Sequence, residues 1–255
     1  MASDSPKRIS VCSNTPNGGP AHYGPPKVDP NLKPGTRAAM ADVRWESTTI
    51  NVGFTDGKGT WGQKLRDQVK RLAPMWSQYA DITFEFVEGF TNDVSIAFEP
   101  TQQADYGTYS SYLGTDSRRF SRTGRPSMYL VFDPDDANNT DLEFQRVIVH
   151  EFGHALGLIH EHMRPDRPIL WNQRAVYDYY HRLTGWDWPM IEAQVINPYN
   201  RNIIDQTPFD PQSIMMYPFQ AGLATYADGT DFVTDWNREL TKGDTDLISR
   251  VYPKS

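Results

Sequence analysis

One eleven-residue stretch limits this chain more than any other: His150-Glu151-Phe152-Gly153-His154, followed by Gly157 and His160. On an α-helix, residues four apart lie about 40° apart around the axis and about 6 Å along it. The imidazoles of His150 and His154 therefore project from one face, where both can bind a single zinc ion. Glu151, one residue on, is rotated out of that coordination shell but still within reach of a water beside the metal, as a general base must be. His160 could not face the same ion if the helix ran through it. Gly157 can take the left-handed conformation that ends a helix without steric penalty, which brings His160 back under the metal. Three neutral nitrogens leave one position open, the mark of a catalytic rather than a structural zinc site. A bare HExxH arises by chance; Gly157 and His160 at fixed offsets make chance a poor explanation here. The other histidines, His22, His162 and His181, read as surface or packing residues.

The rest of the chain can build a domain around such a site. Its 255 residues suffice for one sizeable catalytic unit of two lobes with a cleft between them. A formal charge of −7 argues against nucleic acid or an anionic membrane as the main partner. No stretch approaches the length of a membrane-spanning helix, so membrane insertion is not expected. Cys12 is the one cysteine, so no intrachain disulfide can form.

Residues 1–42 stand apart in composition, with seven of the nineteen prolines before Arg37. They read as a Pro/Gly-rich arm of extended and turn conformations that buries little, resembling a pro-segment. Residues 43–255 read as the catalytic domain, with one lobe over about 43–157 and the other over about 158–255. Ile50, Val52 and Phe54 alternate as in a half-buried strand, and Trp61, Leu65, Val69, Leu72 and Trp76 recur at helical spacing until Pro74 kinks or ends the helix. Ile82 to Phe86, Val94 to Phe98, Tyr109 to Leu113 and Met128 to Phe132 supply further strands. Thr140 and Glu143 fit a capping box ahead of a helix apolar nearly all round, including Leu142, Val147, Val149 and Leu156. Arg174 to Leu183 reads as helical, residues 184–240 as irregular, and Thr241 as the start of a last helix with Leu247, Ile248, Val251 and Tyr252 inward. The expected fold class is α+β: a twisted mixed sheet with the zinc helix at its centre.

Beyond the zinc helix the chain resembles the metzincin zinc peptidases, and within them the astacins with their simpler bacterial and fungal relatives. His160-Glu161-His162-Met163-Arg164-Pro165-Asp166-Arg167 is similar to the astacin extension H-E-x-x-R-x-D-R. Ser213-Ile214-Met215-Met216-Tyr217 resembles the segment S-I-M-H-Y, and Ser110-Ser111-Tyr112-Leu113-Gly114 resembles W-S-Y-V-G. The resemblance covers about 43–253. It implies a zincin-like domain with one catalytic Zn2+ held by His150, His154 and His160, and with Glu151 as the base. It further implies that Met215 forms an apolar floor and that Tyr217 is a fifth ligand at rest that swings to the oxyanion in turnover. Ser110, Ser111 and Tyr112 would rim the cleft and pair with an extended substrate. Met216 stands where the family has histidine, and Glu161, which in the family meets a trimmed amino terminus, here has Arg164 and Arg167 as candidate partners.

The implied activity is a zinc metalloendopeptidase acting on protein or peptide substrates. The alternatives are a catalytically silent zinc-containing binding module of the same fold, or a hydrolase of non-peptide amides or esters. Cys12 has two readings, a thiolate that occupies the fourth zinc position and keeps the enzyme latent, or an inert thiol in the arm. Asp133-Pro134-Asp135-Asp136 offers oxygens of the kind calcium takes, and the simpler reading is a solvated turn before a helix. The family is normally secreted, while residues 1–13 have no apolar run of a secretory signal; retention in the cell, another export route and a trimmed precursor all fit.

Overall fold

The computed structural model describes residues 43–102, 104–198 and 207–254. The arm 1–42, with Cys12 and His22, lies outside the described residues. The first ordered strand, β1 (Thr49–Phe54), is followed by helix α1 (Thr60–Leu72). Pro74 does not kink that helix: it sits at the start of a separate 3-10 turn, Ala73–Gln78, where its missing N–H costs nothing. Strands β2 (Thr83–Glu88), β3 (Val94–Ala97), β4 (Thr108–Ser111) and β5 (Met128–Val131) complete a five-stranded mixed sheet in the order β2-β1-β3-β5-β4. All neighbours run parallel except β4, which pairs antiparallel with β5 and forms one edge. A short helix, α2 (Ser117–Ser121), interrupts the β4–β5 connection.

Helix α3 (Asp141–Ala155) carries the motif across the sheet. Thr140 caps it by accepting from the Glu143 amide, but the Glu143 carboxylate turns to Arg146 at 2.5 Å rather than back to the cap. Phe144 and every residue from Val147 to Ala155 are buried, whereas Leu142, expected inside, is 54% exposed on the first turn. Phe152 meets Phe84 of β2 edge-on at 5.1 Å, and Phe144 meets Phe132 at 4.9 Å. The last helical carbonyls are satisfied from outside: Trp45 Nε1 donates to Ala155 O and the Tyr252 hydroxyl to Leu156 O.

Past the motif come the two-residue strand β6 (Leu170–Trp171), helix α4 (Gln173–Thr184) and the short helix α5 (Trp188–Ile191), which runs on into a π-turn, Glu192–Ile196. Strand β7 (Ala224–Thr225) pairs with β6, and helix α6 (Lys242–Val251) closes the fold behind its Thr241 cap. Apolar side chains gather in two clusters. One joins the sheet, α1, α3 and the inner face of α6 and includes Met215; the other joins α4, α5 and the 216–232 region and includes Met216. The chain passes from one cluster to the other within the Met215–Met216 step, next to the metal motif. No helix among the described residues is long and apolar enough to cross a membrane.

Candidate metal centre

Gly157 has φ +94°, and around it the amides of Gly157 and Leu158 donate to the carbonyls of His154 and Gly153. This pairing is the Schellman arrangement, which consumes the orphan carbonyls of a helix end while the chain reverses. The reversal delivers His160 to the face that already carries His150 and His154. His154 Nε2 lies 3.1 Å from His160 Nε2, which lies 3.2 Å from His150 Nε2. Among the described residues these three form the single group able to hold a metal ion.

The tautomers follow from the partners. His150 Nδ1 meets the Ile214 carbonyl at 2.7 Å and His154 Nδ1 meets the Leu158 carbonyl at 2.7 Å. A carbonyl only accepts, so both Nδ1 atoms carry the proton and both Nε2 atoms present lone pairs to the common centre. Burial, the main cause, holds His150 and His160 well below 6.5 and takes His154 down to about 4, so the rings are neutral at neutral pH. Buried lone pairs in such proximity repel unless a cation lies between them. Tetrahedral zinc with Zn–N bonds of about 2.0–2.1 Å needs nitrogens about 3.3–3.4 Å apart. The observed separations are close to that edge, so the donor set fits zinc in number, type, charge and spacing.

Met215 packs against helix α3 at Gly153. A Cβ on Gly153 would come within 2.5 Å of Met215 Sδ and 3.2 Å of Trp76 Cζ2, so any side chain there would force the methionine to shift. Sequence reasoning gave Gly153 no role, because its need lies in a contact 62 positions away. Tyr217 is buried, with its ring centroid 4.3 Å from that of His160. His162 is fully buried as a packing residue, stacked on His160 and tilted against Tyr217, with Nε2 3.3 Å from the Gln194 carbonyl of the π-turn. His181 lies at the surface. Glu161 takes Arg164 as its partner at 2.9 Å, while Arg167 donates instead to the carbonyls of Arg164 and Ile196. Burial pushes the Glu161 carboxyl up to about 7, with Arg164 and the Asp210 amide drawing it back down.

A recess adjoins the histidines. Glu151, His150 and Tyr217 line it on one side, and Tyr179, Tyr180, Leu183 and Trp236 on others. Arg146 also lines it, but its guanidinium lies 4.1 Å from the Trp236 ring and is paired with Glu143. Strand β4 passes beside it, with Tyr109 in its wall; the side chains of Ser110, Ser111 and Tyr112 are buried, and Tyr112 stacks on Phe120. In the turn before α3, Asp133 Oδ1 accepts from the Asp135 amide and Asp136 Oδ1 from the Asn138 amide, with Asp135 and Asp136 exposed.

A mixed sheet over a helix with two histidines, a third returned by a glycine turn and a methionine packed against that helix is the architecture of the metzincin zinc metallopeptidases. The matrixin peptidase pattern matches residues 44–173. Myroilysin, of known structure, is 33% identical with a TM-score of 0.72, over 85% of this chain and 98% of its own. The hatching enzyme zinc-protease of the medaka Oryzias latipes superposes with a TM-score of 0.54 over 83% and 95% of the two chains, and at 17% identity it speaks for the fold alone. Interstitial collagenase of Equus caballus is 27% identical over 121 residues, 46% of this chain but only 26% of that protein. Matrilysin of Rattus norvegicus is 29% identical over 122 residues, 46% of each. The chain thus spans a quarter to a half of the length of these curated relatives. It belongs to the matrixin family of metzincin zinc metallopeptidases. The astacin-like subtype rests on the sequence segments quoted above and not on these matches.

Proposed function

We propose that the chain hydrolyses internal peptide bonds, with His150, His154 and His160 holding one zinc ion and Glu151 acting as general base. The observation that carries this reading is the placement of Glu151 in the wall of a recess that His150 and Tyr217 also line. Zinc, when bound, supplies a Lewis acid that polarises the scissile carbonyl and acidifies water. Glu151 takes the proton of the attacking water and returns it to the leaving amine, so that no charged amide nitrogen has to depart. The Tyr217 hydroxyl donates to the oxyanion of the tetrahedral intermediate. Met215 packs under the histidines without binding the ion, and it meets the zinc helix at Gly153. An extended substrate adds alongside β4, the last strand of the sheet, by backbone hydrogen bonds, which explains why Ser110 to Tyr112 can contribute while their side chains are buried.

The recess selects one flanking residue. Its lining of tyrosine, tryptophan, leucine and methionine suits a large apolar or aromatic side chain, and Arg146, already engaged by Glu143 and Trp236, offers no spare charge to an acidic one. Digestion of an unfolded protein, with new termini read by mass spectrometry, tests both parts. Cleavage that stops with a chelator, returns with zinc and falls beside large apolar residues is the expected result. Zinc-loaded protein that cuts no peptide would leave a silent binding module as the better description.

Tyr217→Phe is expected to lower kcat by about 10- to 100-fold with little change in KM, because its hydrogen bond forms mainly in the transition state. Steady-state kinetics on one peptide decide it; an unchanged kcat removes Tyr217 from the mechanism.

A further inference from the structure

Asp244 lies 94 residues beyond the first zinc-motif histidine, on helix α6, yet one unbroken chain of hydrogen bonds joins the two. The Ser213 hydroxyl donates to Asp244 Oδ1 at 2.6 Å. The Met215 amide donates to Ser213 Oγ at 3.0 Å. That amide and the Ile214 carbonyl are the two ends of a single peptide group, and the carbonyl accepts from His150 Nδ1 at 2.7 Å. Each group therefore donates toward the carboxylate and accepts from the ring, so polarisation along the chain adds in one direction. The second carboxylate oxygen fixes the same turn by accepting from the Ile214 amide at 3.0 Å, and it accepts from the Thr241 amide as well. Asp244 is 5% exposed, and Ser213, Ile214 and His150 are also buried, so water does not compete for these bonds. The Met215 carbonyl in turn accepts from the Glu161 amide, which ties the segment of the third histidine to the same turn.

We propose that Asp244 is a positioning residue for the metal centre, the remote carboxylate of His150, acting through Ser213 and the Ile214–Met215 peptide group. It holds His150 in the Nδ1–H tautomer, aims Nε2 at the centre and makes the ring a stronger donor. Carboxylates that back a metal-binding histidine do this directly; here a hydroxyl and one amide lie between. The helix cap is a separate duty of the same side chain, because Thr241 and Asp244 also form a capping box.

The inference rests on His150 being a zinc ligand, and zinc affinity of the full chain, measured by competition with a chromophoric chelator, tests it apart from activity. Ser213→Ala breaks the chain at the hydroxyl and keeps the Ile214 amide bond to Asp244. Asp244→Asn turns an amide NH2 toward groups that are themselves donors. Both are expected to weaken zinc binding about 10- to 100-fold, the usual cost of losing such a partner. Thr241→Ala removes the cap while leaving Ser213 on Asp244, so it should lower the melting temperature and leave zinc affinity within about twofold of the parent. Parent-like affinity in Ser213→Ala overturns the proposal, as does Thr241→Ala weakening zinc as much as Asp244→Asn does. If Asp244→Asn does not fold, Ser213→Ala alone decides. A parent that binds no zinc would instead contradict the metal site itself.

Discussion

Glu151→Gln should hold zinc like the parent and yet lose about 10²- to 10⁴-fold in kcat, the range that a positioned general base contributes. The substitution is nearly isosteric, and the side chain is buried in a helix braced by aromatic contacts on both sides, so the fold has no reason to change. What changes is proton affinity, since a neutral amide cannot take the proton of the attacking water. Zinc content and kcat measured on the same preparations separate the two effects. A variant with full zinc and a rate within about tenfold of the parent would assign the base to another group.

The largest effect on stability is expected at Trp76, which supports the zinc helix from behind. Its side chain is fully buried, its indole N–H donates to the Val149 carbonyl at 2.9 Å, and its ring lies against Gly153. Trp76→Ala should cost about 3–5 kcal/mol, from lost transfer energy and the cavity left behind. Against a usual total of about 5–15 kcal/mol, that is a large share of what keeps a domain folded. Trp76→Phe, which keeps most of the apolar area and loses the hydrogen bond, should cost about 1–2 kcal/mol. Chemical denaturation of the three proteins tests the order. Equal midpoints for parent and Trp76→Ala would show that the zinc helix is not braced from this side.

The elements read directly from the sequence were those whose signal is local. Alternation at Ile50, Val52 and Phe54 marks β1, and the spacing of His150, His154, Gly157 and His160 carries the site almost whole, because helix pitch converts offsets into angles. Strand order is not local: that β1 lies between β2 and β3, and that β4 alone runs antiparallel, depends on packing between distant segments. Leu142 was expected inside because it is apolar, but it sits on the first turn of α3, where the helix has yet to reach the core. Helices as short as α2 and α5, and the π-turn after α5, span too few residues for a periodic pattern to show. The same limit hid the recess. Arg146, Tyr179, Tyr180 and Trp236 come from three separate stretches, two of them outside the irregular region that looked responsible for specificity. Gly153 and Asp244 were silent for a related reason, since each matters through a partner on the Met215 turn: Met215 itself, 62 positions from Gly153, and Ser213, 31 positions from Asp244.

Metal analysis of the full chain, purified without chelators and dialysed against zinc-free buffer, goes most directly to the foundation of this account. It predicts about one zinc per chain in the parent and almost none in His154→Ala, whose remaining two nitrogens cannot close a site that needs three protein ligands. A parent that stays free of zinc even after zinc is supplied, or a His154→Ala protein that retains it in full, would contradict the claim that these three imidazoles share one ion.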